Sequence, residues 1–518
     1  MAITPQSQLF LLKVPISLDN KNQLTFSNSI SQRDYFASLT HLQAGSFSYI
    51  RKDNIIRFPA HIDNIIEFNY VMYQNENYTN KWFYAFITKM EYVNDNMTNI
   101  YIKTDVFQTW QFNLNYKRMF VEREHVNDDI VGKYTVPENV ETGDYIVDEI
   151  IRFSDLDDFK YVIQVTEWST SDDKPLATNF GGIFYAGGAY ICDNITQVVN
   201  ILQEFANAGK SDSVYGLYMC PSLLINNTSG SLQYSGQNSP MYGVMNIDKP
   251  RSLHGYTPVN KKLLTFPYCF LTVSNNNGSS NNFMYDLFYE IDESPNECIF
   301  NIKGVPTIGT STKCVPFNYK NGNEEDNEEE GIIGGKFPTL SWSEDAYINW
   351  LTQNAVNIGI GTASNLLTIV GGLGMMATGS GAIAGASSIV SGSLGIASQL
   401  GQIYEHSLTP NSAQGNTNCG DINCCTNANT FYFYKKCIKN EYAKIIDDFF
   451  TMFGYKINSV KIPNINGRPN WNYVKTIDAN ITANIPQNDL IEIKEIFNNG
   501  VTFWHNPSTF LDYSRNNK

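Results

Sequence analysis

The chain has 518 residues, of which 42% are hydrophobic and 13% aromatic, so disorder of the whole chain is excluded and packed cores are expected. The formal net charge of −15 argues against tight, sequence-independent binding of nucleic acid, which depends on Lys and Arg displacing counterions from phosphates. The 31 Tyr and 31 Phe, with many Ile, Val and Thr, favour sheets, because branched and aromatic side chains pack well on pleated surfaces.

Residues 1–8 have neither the basic nor the apolar region of a secretory signal peptide, so we expect the protein to fold where it is made.

The first 150 residues predict a β domain. Residues 82–88 and 99–107 read as two strands, and the Asn and Asp residues at 94–96 supply a turn between them. A hairpin of this kind needs a second layer over its apolar face, so we expect a β-sandwich or barrel over residues 1–150.

A second β-rich region is predicted over residues 151–340, where short apolar runs alternate with Gly, Ser, Asn and Pro. It ends in an acidic segment, 321–335, whose crowded carboxylates repel one another and whose glycines resist ordering. We interpret this segment as a mobile linker. A calcium loop is the alternative, but the Asp, Asn and Gly spacing of an EF-hand is not met.

The most distinctive feature follows: residues 346–404 are fifty-nine consecutive residues without one charged side chain. Split near its middle, this stretch gives two arms, each long enough to form a helix of about 35 Å and cross a bilayer. We predict a long, membrane-active hydrophobic loop over residues 341–407. Its candidate apolar residues are Trp350, Val356, Ile358, Ile360, Leu366, Leu367, Ile369, Val370, Leu373, Met375, Met376, Ile383, Ile389, Val390, Leu394, Ile396, Leu400 and Ile403.

The flanks of this loop are acidic, with Glu344 and Asp345 before it and Glu405 after it. Resident membrane proteins are oriented by nearby Lys and Arg clusters, which are absent from these flanks. We therefore expect conditional insertion, and we expect acidification to help it, because protonation removes the cost of bringing these carboxylates near hydrocarbon.

The alternative for the same stretch is a buried, Gly- and Ala-rich helical hairpin in a soluble core. Its eleven glycines each cost nearly 1 kcal/mol of helix propensity relative to Ala, which suits a pliable segment better than a core helix. An exposed version on a monomer would be a large apolar patch, so burial inside an oligomer is expected.

Residues 408–518 predict a C-terminal α+β segment that completes the first domain. One helix is expected over 441–453, with Asn440 as its cap and Gly454 as its stop. A second is expected near 488–499, ended by Gly500.

No catalytic signature is present, so we predict neither an enzyme nor a cofactor. The six His residues, at positions 41, 61, 125, 254, 406 and 505, show no metal spacing and are interpreted as structural. The nine Cys residues are expected to be reduced and mostly buried. Cys419, Cys424, Cys425 and Cys437 lie close together and leave zinc binding open, although no C-x-x-C pair occurs.

Several runs resemble the distal tail-tube or tail-knob proteins of short-tailed, φ29-like bacteriophages of Gram-positive hosts. These are FITKMEYVNDNMTNIYIKTDVFQTW at 86–110, REHV at 123–126, MFGYKIN at 452–458, WNYVKT at 471–476 and GVTFWH at 500–505. The uncharged stretch lies where that family has its long hydrophobic loop. Residues 151–340, which correspond to the knob region, match by position alone.

The resemblance implies a ring-forming homo-hexamer that builds the distal tail tube of the virion from β domains. Six hydrophobic loops would plug its lumen, then leave it and form a pore in the host cytoplasmic membrane. Genomic DNA would pass through the lumen without sequence-specific binding. The implied virion partners are the upper tail or collar protein and a tail-tip wall-degrading protein.

Two other classes of function stay open at this stage. A secreted pore-forming toxin could use the same hydrophobic hairpin, although the lack of an export signal counts against it. A peptidoglycan-degrading tail-tip enzyme could be hidden in the middle region, but no paired carboxylates can be identified there from sequence.

Overall fold

The computed structural model describes residues 7–341 and 430–518, apart from 45–46, 51–52, 76–78, 176–177, 181–182, 186, 226–229, 235–241, 277, 293–295, 305–310, 323–324 and 337–338. The chain divides into two compact units. Unit 1 contains residues 1–142, 257–263 and 440–518, and unit 2 contains residues 143–256 and 264–439. Most of the described residues in regular structure lie in strands, which confirms the predicted mainly β class.

The strands alternate with few helices. The amino-terminal strands of unit 1 are β1 (Ser7–Leu12), β2 (Asn22–Leu24), β3 (His41–Ala44), β4 (Ser48–Ile50), β5 (Ile55–Phe58), β6 (Tyr70–Asn75), β7 (Thr79–Asn94), β8 (Met97–Thr104), β9 (Asn115–Tyr116) and β10 (Met119–Glu124). The strands of unit 2 are β11 (Tyr145–Arg152), β12 (Phe159–Val165), β13 (Thr178–Phe180), β14 (Ile183–Tyr185), β15 (Gly188–Cys192), β16 (Val214–Pro221), β17 (Leu232–Tyr234), β18 (Tyr242–Asp248), β19 (Cys269–Ser274), β20 (Ser280–Phe283), β21 (Glu297–Gly304), β22 (Ser311–Pro316), β23 (Ile332–Lys336), β24 (Thr339–Ser341) and β25 (Tyr432–Ile438). The carboxy-terminal strands of unit 1 are β26 (Tyr455–Lys461), β27 (Trp471–Ile477), β28 (Ile481–Thr482) and β29 (Val501–Trp504). The helices are α1 (Ser29–Ser38), α2 (Val106–Trp110), α3 (Ile195–Asn207), α4 (Asn440–Phe453) and α5 (Gln487–Asn499).

Unit 1 contains a seven-stranded sheet in the order β3-β1-β6-β7-β8-β5-β4 and a five-stranded sheet in the order β2-β29-β27-β10-β26. A two-stranded sheet pairs β9 with β28. Apolar side chains alternate along the strands of the larger sheet and fill a core on each face. Leu9, Leu11 and Val71 lie in one core, while Tyr70 and Met72 lie in the other.

The second of these cores joins the amino- and carboxy-terminal parts of the chain. Trp471 and Trp504 are wholly buried in it, with ring centroids 5.1 Å apart, and they pack with side chains of the seven-stranded sheet. Helix α5 covers the five-stranded sheet through Ile493 and Phe497. The first and last segments of the chain therefore fold as one unit.

Unit 2 contains three larger sheets and the hairpin of β13 and β14. Their orders are β11-β25-β19-β20, β17-β15-β12-β16-β24 and β18-β21-β22-β23. Helix α3 packs Val198, Ile201 and Phe205 into a core with strand residues such as Ile163 and Val214. These apolar positions recur at helical spacing, so the signal for this helix is present in the sequence.

Several local expectations hold. Helix α4 begins at Asn440, one residue before the predicted start, so Asn440 is its first residue and not its cap. As predicted, it ends before Gly454, whose φ of 65° suits a residue without a Cβ. Helix α5 ends at Gly500, whose φ is 89°. Strand β8, however, stops at Thr104 and not at 107, because the Asp105 side chain accepts a hydrogen bond from the backbone N–H of Gln108 and caps α2.

The acidic segment 321–335 requires a correction. The sequence predicts a mobile linker, but the described residues of this segment form a 3-10 turn at Glu328–Glu330 and most of strand β23. Lys303 and Lys313 both pair with the carboxylate of Glu328. These lysines come from strands β21 and β22, and their charges offset the repulsion that the sequence pattern suggested.

Candidate functional site

The segments that carry the family resemblance all lie in unit 1. Residues 86–110 form most of β7, β8 and α2. The other segments contribute β10, β26, β27 and β29, which are four of the five strands of one sheet. Strand β10 pairs with both β26 and β27, although more than 300 residues separate them in sequence. The matching motifs are therefore parts of one structural core.

Arg123, the first residue of the REHV run, lies in a buried ionic cluster. Its guanidinium pairs with Glu138 and donates to the carbonyl of Gly454 at 2.7 Å. Lys262 donates to Oε1 of the same Glu138 at 2.6 Å, and the backbone N–H of Lys456 donates to that oxygen at 2.9 Å. Burial lowers the pKa of Lys262. The cluster ties three separate segments of unit 1 together.

Glu124 and His125 are buried beside this cluster and are fully engaged. Glu124 pairs with Lys461 and accepts from the backbone N–H of Asn464 at 2.8 Å. The Nδ1 atom of His125 accepts from the backbone N–H of Tyr473 at 2.8 Å, and Nε2 lies 3.0 Å from the carbonyl oxygen of Thr451. This arrangement requires a neutral ring with the proton on Nε2. Burial lowers the pKa of His125 to about 4.

Segment 257–263, where the chain returns to unit 1, is also held there by the carboxylate of Asp447. Asp447 on α4 is 1% exposed and accepts from the backbone N–H groups of Val259 at 2.7 Å and Asn260 at 2.9 Å. The side-chain amide of Asn260 donates to the same carboxylate at 2.7 Å. Three N–H groups of the segment thus donate to one side chain on α4.

The predicted membrane-active loop lies outside the described residues, except for Ser341. This holds for every candidate residue from Trp350 to Ile403 and for the acidic flanks Glu344, Asp345 and Glu405. Within residues 7–341 and 430–518, apart from the short gaps, none of the helices combines the length and apolarity needed to cross a bilayer. The structure does describe the strand before these residues, β24, and the strand after them, β25. We call these two strands the roots of the loop.

Both roots belong to unit 2. The first is β24, which occupies the edge of its sheet and pairs with β16 through the registers Gly216↔Ser341 and Leu217↔Leu340. Among the described residues, this three-residue strand has hydrogen-bond partners on one side only. The first root is therefore short and singly paired within the described part of the chain.

The second root is held more firmly. Strand β25 lies between β11 and β19 and pairs along its length with both. Just before it, Thr430 donates a hydrogen bond to the carbonyl of Phe153, and the Phe431 carbonyl accepts from the backbone N–H of Phe153 at 3.0 Å. Phe431 and Phe433 are wholly buried.

The strand that precedes the first root, β23, packs against the residue that precedes β25. A Cβ added at Gly334, on the strand that precedes β24, would lie 3.1 Å from Cζ of Phe431, which precedes β25. The absence of a side chain at Gly334 lets this aromatic ring pack against the backbone. Both roots belong to unit 2.

The remaining candidates are His and Cys residues, and those discussed below that lie in the described part of the chain have structural roles. His505 is engaged through Nδ1 with the Thr25 hydroxyl at 2.7 Å and through Nε2 with Asn472 Oδ1 at 3.0 Å. Six cysteines of the described residues are free and buried, as predicted. Burial raises the pKa of Cys437 to about 11, so this thiol is a poor nucleophile. Cys419, Cys424, Cys425 and His406 lie outside the described residues, so the zinc alternative stays open.

Residues 234–518 match the family described as "Bacillus phage phi29, Tail knob protein gp9, C-terminal domain". That match covers more than half of the chain. The chain belongs to this family of phage tail knob proteins. It is a structural protein of the tail of a short-tailed phage and a component of the virion. Residues 6–115 of this tail knob protein also match the "Caudoviral major tail protein N-terminus".

Curated relatives and a solved structure agree over nearly the whole chain. The tail knob protein gp9 of Bacillus phage phi29 is 26% identical over 587 residues and covers 96% of each chain. The tail knob protein gp9 of Bacillus phage PZA is 26% identical over 584 residues with the same coverage. The tail knob protein gp12 of bacteriophage C1 has a TM-score of 0.68 with 14% identity over 98% of each chain, and so shares the fold.

Proposed function

We propose that this chain assembles as a homo-hexamer at the distal end of the tail and that its uncharged loop opens the host cytoplasmic membrane. In the resting virion, six loops plug the lumen. On infection they leave it, enter the bilayer and form a pore through which the genome is ejected. The neighbours in the virion are an upper tail or collar protein and a tail-tip wall-degrading protein. The role of the chain itself is structural and non-enzymatic.

One observation carries the proposal: fifty-nine uncharged residues lie between two roots that belong to the same unit. Water is a poor solvent for so long an apolar and small-residue stretch, whereas hydrocarbon accepts it. Because both ends stay attached, the segment can enter a bilayer only as a hairpin. At most about 3.5 Å per residue, such a hairpin reaches roughly 100 Å out and back, which is far more than the thickness of a bilayer.

The difference between the roots supports release from one side. Within the described part of the chain, β24 has one pairing partner, whereas β25 is paired on both sides and is followed by helix α4. Local opening is easiest where few buried contacts and few backbone hydrogen bonds must break. The amino-terminal root is therefore the one that yields when the loop extends.

The charge of the chain supports passage of DNA without specific binding. With a net charge of −15, the protein offers few cations to neutralise phosphates, so a polyanion can slide past its surface. The acidic flanks Glu344, Asp345 and Glu405 make insertion easier at low pH, because their charged forms oppose entry into hydrocarbon.

Dye release from liposomes tests the membrane role. We expect purified protein to release dye and Ile369→Lys to reduce the release, because a Lys in the middle of the membrane costs about 2.5–3.5 kcal/mol. Ile445→Lys is the matched control, since Ile445 lies on α4 in unit 1 with 66% of its surface exposed. Equal release by both variants, or undiminished release after deletion of residues 350–404, would contradict the proposal.

Two further measurements separate the alternatives. Electron microscopy of the purified protein should give six-fold rings or tubes with central density, which is lost when residues 350–404 are deleted. Incubation with purified peptidoglycan should release no soluble fragments, and release would favour a wall-degrading enzyme. Lysis of intact cells by the added protein alone would favour a toxin.

A further inference from the structure

Unit 2 contains a cavity of about 440 Å³ that has no role in the function proposed above. It opens beside the sheet β11-β25-β19-β20. Most of its lining residues are charged or polar, and a few are apolar. They are Asp148, Glu149, Asp248, Lys249, Pro250, Arg251, Ser252, Leu253, Cys269, Tyr285, Lys435, Lys436 and Cys437. The volume is that of a site for a small organic molecule.

The walls of this cavity are built by two fixed backbone features. The first is a β-bulge in β11, where the register with β25 shifts between Val147 and Glu149 and turns Asp148 out of the regular ladder. The second is a two-residue hairpin at His254 and Gly255, both with positive φ, closed by reciprocal backbone hydrogen bonds between Leu253 and Tyr256. The cavity is therefore held in shape without a ligand.

The cavity carries an excess of positive charge in an acidic protein. Glu149 is paired with Lys435 at 2.8 Å, and Asp148 lies 3.0 Å from Nδ1 of His254. Lys249 donates to the neutral carbonyl of Phe288, and Lys436 lies 5.9 Å from the ring centroid of Phe270. Neither lysine has an ion-pair partner among the described residues.

Arg251 and Asp248 complete the charge pattern. Within the part of the chain that the structure describes, neither side chain has a hydrogen-bond or ion-pair partner. Arg251 lines the cavity and is exposed, and its guanidinium can bind an anion through two parallel hydrogen bonds. Asp248 can accept hydrogen bonds from hydroxyl groups.

A buried phenol is the second sign of a ligand. Tyr285 lines the cavity and is 1% exposed, and its hydroxyl has no partner among the described residues. The hydroxyl lies within electrostatic range of Cys269, Cys437 and Asp148, which line the same cavity. A buried hydroxyl without a hydrogen bond is costly, so a ligand group that bonds to it gains affinity.

We propose that this cavity binds a small phosphate ester of a polyol. Arg251 and Lys249 hold the phosphate, while the Tyr285 hydroxyl and the Asp248 carboxylate bond to hydroxyl groups. A phosphate without hydroxyls would leave the phenol unsatisfied, and a neutral polyol would leave the cations unsatisfied. The two halves of the site therefore predict one ligand chemistry, which a free metabolite or a unit of a phosphate-containing polymer could supply.

Calorimetric titration of the full-length chain with glycerol 3-phosphate tests this site. We expect saturable binding, and we expect Arg251→Gln to weaken it about tenfold or more, the usual effect of losing a charge-assisted hydrogen bond. Arg57→Gln is the matched control, because Arg57 is exposed on β5 in unit 1 and the substitution changes the net charge equally. Tyr285→Phe should weaken binding roughly threefold or more and should leave the fold intact.

Four outcomes would overturn the proposal. They are absence of saturable binding at millimolar glycerol 3-phosphate, an equal effect of Arg251→Gln and Arg57→Gln, unchanged affinity in Tyr285→Phe, and inorganic phosphate or glycerol binding as tightly as the ester. A polymer arm distinguishes the sources: competition by a poly(glycerol phosphate) of several units supports a polymer, whereas competition by the monomer alone supports a free metabolite. The dye-release experiment uses variants of other residues, so a failure of ester binding would leave the pore proposal standing.

Discussion

The Nζ atom of Lys262 lies 2.6 Å from Oε1 of Glu138, and neither side chain is more than 4% exposed. Arg123 pairs with the same carboxylate. One buried acid thus holds two cations that come from chain segments far apart in sequence. Taking three charges out of water is expensive, and the attraction offsets that cost only while all three are present.

Glu138→Gln should therefore be among the most destabilising single changes in unit 1. It leaves Arg123 and Lys262 buried without a counter-charge, and we expect a loss of about 3–5 kcal/mol of unfolding free energy. Urea denaturation followed by tryptophan fluorescence measures it, since Trp471 and Trp504 are buried in unit 1.

Glu91→Gln is the control for this prediction. Glu91 lies on β7 at the surface and pairs with Lys89 at 3.7 Å, so its substitution should cost at most about 1 kcal/mol. If both variants lose equally little, the buried cluster does not hold unit 1 together.

His125 predicts a loss of stability on acidification. Its pKa in the folded protein is about 4, below the ordinary value of 6.5. The unfolded chain binds the proton first, so stability that is complete above pH 6.5 falls as the pH drops toward 4, by roughly 3 kcal/mol in all. His125→Gln should remove this slope and lower stability at pH 7. Urea midpoints between pH 7 and pH 4 measure it, with His41→Gln at the surface as the control; an unchanged slope would contradict the assignment.

For Asp105 we expect the opposite dependence of the unfolding free energy on pH, over an overlapping range of pH. Burial raises its pKa from 3.8 to about 6, although its carboxylate accepts from the Tyr70 hydroxyl at 2.9 Å and from the backbone N–H of Gln108. The folded protein binds the proton first, so this group adds stability as the pH falls from 6 to 4, by roughly 3 kcal/mol.

Asp105→Asn should therefore stabilise the protein at pH 7 and steepen its loss of stability in acid. Asn keeps an acceptor oxygen for the Gln108 N–H and presents an NH2 donor to the Tyr70 hydroxyl, which can accept, and it carries no charge. The same urea series applies. With Asp105 neutralised, the slope of His125 is no longer offset, whereas His125→Gln with Asp105 intact should give stability that rises on acidification. In the double variant, His125→Gln with Asp105→Asn, the unfolding free energy should not change with pH over this range, which completes a double-mutant cycle.

Local features of the fold could be predicted from sequence, because their signals are local. The apolar period and terminal glycine of α4, and the polar turn at 94–96, act over a few residues. The pairing of β10 with β26 and β27 could not be predicted, since it depends on groups such as the His125 ring and the backbone N–H of Tyr473, which meet only after folding. The acidic segment was misread for the same reason: Lys303 and Lys313 come from other strands.

The candidate site could also be predicted only in part from the sequence. The absence of charge over residues 346–404 can be seen in the sequence, and so can the suitability of this stretch for hydrocarbon. The unequal roots are not, because the edge position of β24 and the central position of β25 follow from sheet order alone. The cavity beside Tyr285 was also missed, since its lining comes from strands and loops nearly 300 residues apart.

The edge position of β24 leads to a last prediction, on release of the loop. Gly216 and Ser341 lie opposite each other in antiparallel register, at a separation that cross-strand disulfides can span. Gly216→Cys with Ser341→Cys, once oxidised with diamide, should fix β24 to β16. We expect dye release from liposomes to be slower by about tenfold or more, because a disulfide opposes such opening by about 2 kcal/mol or more. Dithiothreitol should restore the rate. Ser274→Cys with Ser280→Cys, which locks the hairpin of β19 and β20, is the control and should release dye at the unmodified rate. Full release from the oxidised Gly216 and Ser341 variant would mean that the loop extends without peeling its amino-terminal root.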